Sequence, residues 1–155
     1  MTAQVPAVGT LAPDFTLNTT SGSAVTLSAL RGKHHVLLAF FPAAFTGVCT
    51  AEVCAFSEDF DAFSSTNVTV LPISVDNVPS LKEFKAKHGM RVELASDFKR
   101  EVSTAYGVLL PAFLSTRAYF LIDKTGVLRW SYVEETPGTR RQNSELLAEI
   151  AKLTG

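Results

Sequence analysis

The sequence predicts an α/β fold: a central mixed β-sheet flanked by helices, with an N-terminal β-hairpin. Three observations carry this expectation. Two continuous apolar runs of strand length, "HVLLAFFP" and "VTVLPISVD", enclose a helical stretch, which is the pattern of a βαβ unit whose strands are covered on both faces. Further on, "RAYFLIDKTGVLRWSYVEE" reads as two strands joined at Lys124-Thr125-Gly126, which adds an antiparallel pair. The chain has 155 residues and is 46% hydrophobic, so it is read as a single domain, residues 1–155, with a sizeable core.

Taken in order, "DFTLNTTSGSAVTL" alternates apolar and polar residues around Ser21-Gly22-Ser23 and reads as the hairpin. "HVLLAFFP" is a central strand. "TAEVCAFSEDFDAFSS" places Val53, Phe56, Phe60 and Phe63 at steps of three and four, the spacing of one helical face. After the strand "VTVLPISVD", "VPSLKEFKAKHG" reads as a helix with Pro79 early and Gly89 past its end. "VELASD" is a short strand, and "KREVSTAYG" a short helix stopped at Gly107. "NSELLAEIAKL" is an amphipathic C-terminal helix with Asn143 or Ser144 as its N-cap. A parallel βαβ start followed by an antiparallel hairpin is the thioredoxin-like arrangement.

Composition narrows the function classes. The formal net charge is -1 and charged residues make up 19%, so no basic footprint for nucleic acid is present. The N-terminal "MTAQVPAVGTLAPDF" lacks a positive n-region, and the longest apolar run, "VLLAFFPAAF", is short for a bilayer and holds a proline. The expectation is a cytoplasmic protein without membrane or nucleic-acid partners. His34, His35 and His88 are expected at the surface, and no pair has zinc-like spacing with the cysteines. No metal or other cofactor is expected. In a cytosolic chain a close cysteine pair points to redox or metal chemistry rather than to a disulfide framework.

Both cysteines lie in "FFPAAFTGVCTAEVC". A thiol with a pKa of ~8.5 is only a few per cent thiolate at neutral pH, yet the thiolate is the nucleophile. Cys49 follows a strand-to-helix turn, where unpaired N–H groups and the helix dipole favour an anion. Lowering the pKa by two units needs ~2.7 kcal/mol. The dipole supplies roughly 0.3–1 kcal/mol, up to ~2 when partly buried. A cation from elsewhere in the chain is therefore required. Around Cys49, Pro42 ends the strand and covers the sulfur without an N–H of its own. Thr46 offers a hydroxyl that both donates and accepts. The backbone N–H groups of Val48 and Cys49 are further donors to a developing oxyanion.

"PAAFTGVC" resembles the Pro-x3-Thr-x2-Cys signature of the peroxiredoxins, thiol peroxidases with this fold. "APDFTL", "ISVD" and "YFLIDKTGVLR" are similar to the family's opening, second core strand and later hairpin. The resemblance implies that Cys49 is the peroxidatic cysteine, attacking the terminal oxygen of a hydroperoxide to give a sulfenic acid and water or an alcohol. It implies that Pro42 shields the sulfur, and that Thr46 and Arg117, in "STRAYFLID", orient the peroxide and stabilise the separating oxygens. Arg117 would then be the missing cation. Glu52, one turn after Cys49, is either a solvated acid or the partner that holds Arg117.

Cys54 is five residues beyond Cys49. This spacing resembles the Q-type subfamily (bacterioferritin comigratory protein), in which it would be the resolving cysteine. It would form an intramolecular disulfide that thioredoxin or a similar reductant resets. Read alone, Cys54 also fits an inert core residue, the lesser of the two readings. The apolar stretch "FFPAAFTGVC" departs from the Q-type and is similar to the one-cysteine alkyl hydroperoxide reductase E type. There Phe41, Ala44 and Phe45 would form an apolar collar. The alternative enzyme, a thioredoxin-type thiol–disulfide oxidoreductase, calls for Cys-x2-Cys and a proline before the facing strand. Here the spacing is Cys-x4-Cys and the residue before Arg117 is Thr116. A non-catalytic thioredoxin-like module gives no reason for the Pro-Thr-Cys-Arg set. Related proteins occur as monomers and dimers, and a monomer or weak homodimer is expected.

Overall fold

The computed structural model describes residues 5–110, 114–136 and 139–154. The side chains of Cys49 and Thr154 lie outside the described residues. In chain order the elements are β1 (Thr16–Thr19), β2 (Ala24–Thr26), a 3-10 turn (Leu27–Leu30), β3 (His35–Phe40), α1 (Gly47–Glu58) and α2 (Phe60–Ser65). They continue with β4 (Val68–Ser74), α3 (Val78–His88), β5 (Ala95–Ser96), α4 (Glu101–Ala105), β6 (Ala118–Ile122), β7 (Leu128–Val133) and α5 (Asn143–Thr154).

The strands form one seven-stranded sheet in the order β2-β1-β5-β4-β3-β6-β7. β3, β4 and β5 run parallel, while β1, β6 and β7 pair antiparallel to their neighbours. All residues of β3 are buried, as the uninterrupted apolar run requires of a central strand. Alternation along β3 sends Leu37 and Ala39 to one face and Val36, Leu38 and Phe40 to the other. The first face packs with Val53, Phe56, Phe63, Leu81, Phe84, Leu146 and Ile150. The second packs with Leu17, Leu71, Ile73, Tyr106 and Phe120. The sheet is thus covered on both sides, in the expected thioredoxin-like α/β arrangement.

Register places the site. Phe40 lies opposite Ile73 of β4 and Ala118 of β6. The chain leaving β3 therefore passes between the residues that leave β4, Ser74 to Asp76, and those that enter β6, Ser115 to Arg117. Ser115 Oγ donates to the Phe41 carbonyl at 2.9 Å and ties the two segments together.

Four expectations change. The helix expected over 50–65 is two helices, broken at Asp59, whose φ of -97° and ψ of 21° fall in the sparsely allowed bridge region. The strand "VELASD" contracts to Ala95–Ser96, the pair that bonds both β4 and β1. Asn143 does not N-cap α5: it is the first residue of that helix, and its amide reaches across to α1. His35, expected at the surface, is 7% exposed as the first residue of β3. By contrast α3 starts and stops as its sequence dictates. Asn77 accepts from the Ser80 N–H at 2.9 Å, and Gly89 takes the left-handed conformation at φ 59°.

The buried His35 makes stability depend on pH. Its Nδ1 has no hydrogen-bond partner among the described residues. Burial, aided by the charge of Lys124 and opposed by Asp123, holds its pKa below the usual 6.5. The unfolded chain therefore binds this proton more readily than the folded one. Stability is full above ~6.5 and falls as pH drops from there through the lowered folded pKa. The urea midpoint of the wild type should fall more between pH 7.5 and 5.5 than that of His35→Leu. Equal falls would remove His35 as the cause.

Candidate active site

The turn after β3 is shaped by contacts from three other segments. Phe41 N–H donates to the Ile73 carbonyl at 2.9 Å, so the ladder runs one residue past β3 before Pro42 ends it. Ala44 N–H then donates to the Asp76 carboxylate at 2.8 Å, and the same oxygen accepts from Ser74 Oγ at 2.7 Å. Asp76 thus pins the loop to the end of β4. Phe45 adopts φ 67°, the left-handed region that an aromatic side chain disfavours. α3 holds it there: the Phe84 ring lies 5.1 Å away and Lys87 Nζ 5.8 Å from the ring centre. Only Phe45 of the expected collar faces solvent, at 50% exposure. Phe41 and Ala44 are buried in the core and line no substrate surface.

Thr46 precedes α1 in extended conformation, the backbone geometry of an N-cap. Its hydroxyl does not cap the helix. It turns back and donates to the Ala43 carbonyl at 2.8 Å, which tightens the turn and keeps its lone pairs toward solvent. Gly47, Val48 and Cys49 form the first turn of α1. The expectations for the Cys49 sulfur lie outside the described residues; the helix start beneath it does not.

Behind this first turn lies a buried charged pair. Arg117 Nη1 donates to Glu52 Oε1 at 2.9 Å, with the two side chains 1% and 0% exposed. Tyr119 Oη donates to Glu52 Oε2, and the Arg141 N–H donates to Tyr119 Oη at 2.9 Å. Of the two readings of Glu52, the structure selects the partner of Arg117. Burial pushes the Glu52 carboxyl above the usual range, and Arg117 and Tyr119 oppose that push. Burial and the adjacent Glu52 charge also raise the Tyr119 phenol, which keeps it a neutral donor. The guanidinium is thereby locked in place by charge-assisted hydrogen bonds.

Three contributors were not singled out from the sequence. Tyr119 is two residues from Arg117, so strand alternation puts both on one face; that signal was legible. Asp76 was visible only as the end of a strand. The pair Arg140-Arg141 is too short to stand out as a basic patch, yet the structure brings it to α1. Arg140 acts electrostatically on Glu52, and both arginines share an open groove with Gly47, Val48 and Ala51. Arg141 is held by the buried Glu134 at 2.9 Å and by Glu145 at 3.1 Å.

Cys54 sits in the second half of α1, half-buried against the core, as a free thiol. Burial and then the Glu58 charge push its pKa up. α1 runs unbroken from Gly47 to Glu58, so Cys49 and Cys54 are five helical positions apart. Their Cα atoms are then roughly 8–9 Å apart and turned by ~140°. A disulfide requires about 4.4–6.8 Å. Among the described residues no group of three or more His, Cys, Asp or Glu is arranged to hold a metal ion. No helix there is long and apolar enough to cross a membrane.

The sheet order and the strand-to-helix turn, backed by a buried arginine–carboxylate pair, define a thioredoxin-like α/β protein organised around a cysteine-bearing helix start. Comparison with known proteins makes this particular. The model of the AhpC/TSA family matches residues 8–131. Alkyl hydroperoxide reductase E of Mycobacterium tuberculosis is 37% identical over 150 residues, covering 95% of this chain and 97% of that protein. The chloroplastic peroxiredoxin Q of Oryza sativa subsp. japonica is 37% identical over 126 residues, covering 80% of this chain and 58% of that one. A reduced 2-Cys peroxiredoxin of Plasmodium vivax superposes with a TM-score of 0.89 at 33% identity, covering 96% of this chain and 83% of that chain. The chain belongs to the AhpC/TSA family, is related over nearly its whole length to alkyl hydroperoxide reductase E, and is similar over most of it to peroxiredoxin Q. It is accordingly a thiol peroxidase, an antioxidant oxidoreductase.

Proposed function

We propose that Cys49 is the peroxidatic cysteine and that Cys54 resolves it. The observation that carries the first role is the buried Arg117, pinned by Glu52 one helical turn after Cys49. It supplies the cation that the helix dipole alone cannot replace. The Cys49 thiolate attacks the terminal oxygen of hydrogen peroxide or an organic hydroperoxide. The O–O bond breaks, and the departing oxygen takes a proton and leaves as water or an alcohol. The sulfur keeps the other oxygen as a sulfenic acid. Arg117 and the Thr46 hydroxyl orient the peroxide and stabilise the separating oxygens, and Pro42 keeps water from the sulfur. The exposed Phe45 ring offers an apolar contact to an organic substrate.

The Cys54 sulfur then attacks the Cys49 sulfur. The S–O bond breaks, the hydroxyl leaves as water with the Cys54 proton, and a Cys49–Cys54 disulfide remains. Thioredoxin or a similar dithiol protein reduces it. The helical separation of the two residues requires α1 to unwind in this step. The enzyme works in the cytoplasm as a monomer or weak homodimer. Peroxide turnover coupled to thioredoxin, compared between wild type and Cys54→Ser, tests the cycle. The variant should keep rapid oxidation of Cys49 within about twofold and lose thioredoxin-dependent turnover by roughly 10²-fold, since one step loses its nucleophile. Unchanged turnover would remove Cys54 from the mechanism.

A further inference from the structure

We propose that Asn143 is a positioning residue for the resolving step: its amide clamps the Cys54-bearing half of α1, and release of that clamp sets the rate of disulfide formation. The inference rests on the reading of Cys54 as the resolving cysteine. Asn143 Nδ2 donates to the Ala55 carbonyl at 2.9 Å and to the Asp59 carboxylate at 2.7 Å. These acceptors are the residue after Cys54 and the residue at which the helix breaks. The Asn143 Oδ1 is buried with no hydrogen-bond partner among the described residues, so the amide is held by its donors, and both donors go to this one segment. The α5 side chains Leu146 and Ile150 share the core cluster against which Cys54 packs.

The two halves of α1 are anchored differently. The first is held by the fully buried Arg117–Glu52 pair. The second is held by the burial of Val53 and Phe56, by the Arg91 N–H on Ser57 Oγ at 2.7 Å and by the two Asn143 bonds, of which the one to the Asp59 carboxylate is charge-assisted. Among these the Asn143 amide is the group that grips the backbone directly after Cys54. Cys54 is turned ~140° from Cys49 around the helix, so bringing its sulfur across rotates the peptide that follows it. That peptide carries the Ala55 N–H, and its residue's carbonyl is the one the amide grips. The clamp keeps the reduced helix in order and sets the delay before Cys54 attacks. In that attack the Cys54 sulfur bonds to the Cys49 sulfur, the S–O bond breaks, and water leaves with the thiol proton.

Reduced protein mixed with one equivalent of hydrogen peroxide, quenched with an alkylating agent over time and resolved by mass spectrometry, separates the two steps. Asn143→Ala should oxidise Cys49 within about twofold of wild type and form the disulfide about tenfold faster. The isosteric Asn143→Asp preserves the side-chain shape but cannot donate, and it sets a carboxylate against Asp59; it should accelerate resolution at least as much. The sulfenic acid then survives for less time, so the peroxide concentration that half-converts Cys49 to sulfinic acid should rise by the same factor. A residue that only stabilised the fold would lower the melting temperature without moving that concentration. If wild type forms the disulfide and both variants form it at the same rate or slower, the clamp is overturned while the resolving role stands. If wild type forms no Cys49–Cys54 bond, the resolving role falls and the clamp with it.

Discussion

Arg117→Ala is expected to lower both stability and the rate of Cys49 oxidation sharply. The guanidinium is 1% exposed and its partner Glu52 is fully buried, so its removal strands a desolvated carboxylate. Breaking such a pair costs about 3–5 kcal/mol, a large share of the roughly 5–15 kcal/mol that holds an ordinary domain together. For a chain of this size that is a fall in melting temperature on the order of 10 °C. The catalytic loss has a separate origin. Removing one donor that stabilises charge developing at an oxygen costs about 10²–10³ in rate. Arg117→Lys distinguishes the two. It keeps a positive charge opposite Glu52 but has no planar fork to serve Glu52 and a substrate together. It should recover more of the melting temperature than of the rate. Thermal melts and rapid mixing with hydrogen peroxide read the two effects independently. Oxidation of Cys49 at the wild-type rate in Arg117→Ala would exclude the arginine from the chemistry.

Cys49→Ser should abolish peroxide turnover, by roughly 10³-fold or more, while leaving the fold intact. Serine is close to cysteine in size, but its hydroxyl is not ionised near neutral pH, and no histidine lies in the motif to act as its base. Other groups hold the helix start: Thr46 donates to Ala43, Ala44 to Asp76, and Arg117 to Glu52. The melting temperature should therefore stay within a few degrees of wild type, since a substitution of similar size costs about 1 kcal/mol. Residual turnover above a tenth of wild type would mean that another group carries the peroxidase reaction.

The parts of this site differ in how far the sequence reveals them. Pro42, Thr46 and Cys49 are consecutive features of one turn, and their spacing is enough to identify it. Cys54 falls within the same short stretch, so helical geometry alone shows that the proposed Cys49–Cys54 disulfide requires α1 to unwind. Arg117 was reached through the resemblance of "STRAYFLID" and through the shortfall of the dipole, because its side chain meets Glu52 across 65 positions of sequence. Tyr119 and Asp76 act across 67 and 32 positions, on Glu52 and on Ala44. No local pattern encodes such pairings. Asn143 departs from its local rule for the same reason: at a helix start that rule assigns it to its own backbone, and only the packing of α5 on α1 offers it better acceptors.

The sequence by itself determined what is governed by short-range rules. Apolar runs of strand length built the centre of the sheet, Asn77 and Gly89 set the ends of α3, and the spacing from Pro42 to Cys49 carried the resemblance to the peroxiredoxins. Tertiary structure decided which distant groups share a low-dielectric space. It made Glu52 a buried partner of Arg117 rather than a solvated acid, divided the expected helix at Asp59, and took Phe41 and Ala44 from the collar into the core. The physical reason is that burial belongs to the assembled layers and not to any segment. A carboxylate or an amide takes its ionisation and its partners from what packs over it, and the chain meets that environment only once the sheet has closed around Phe40, Ser74 and Arg117.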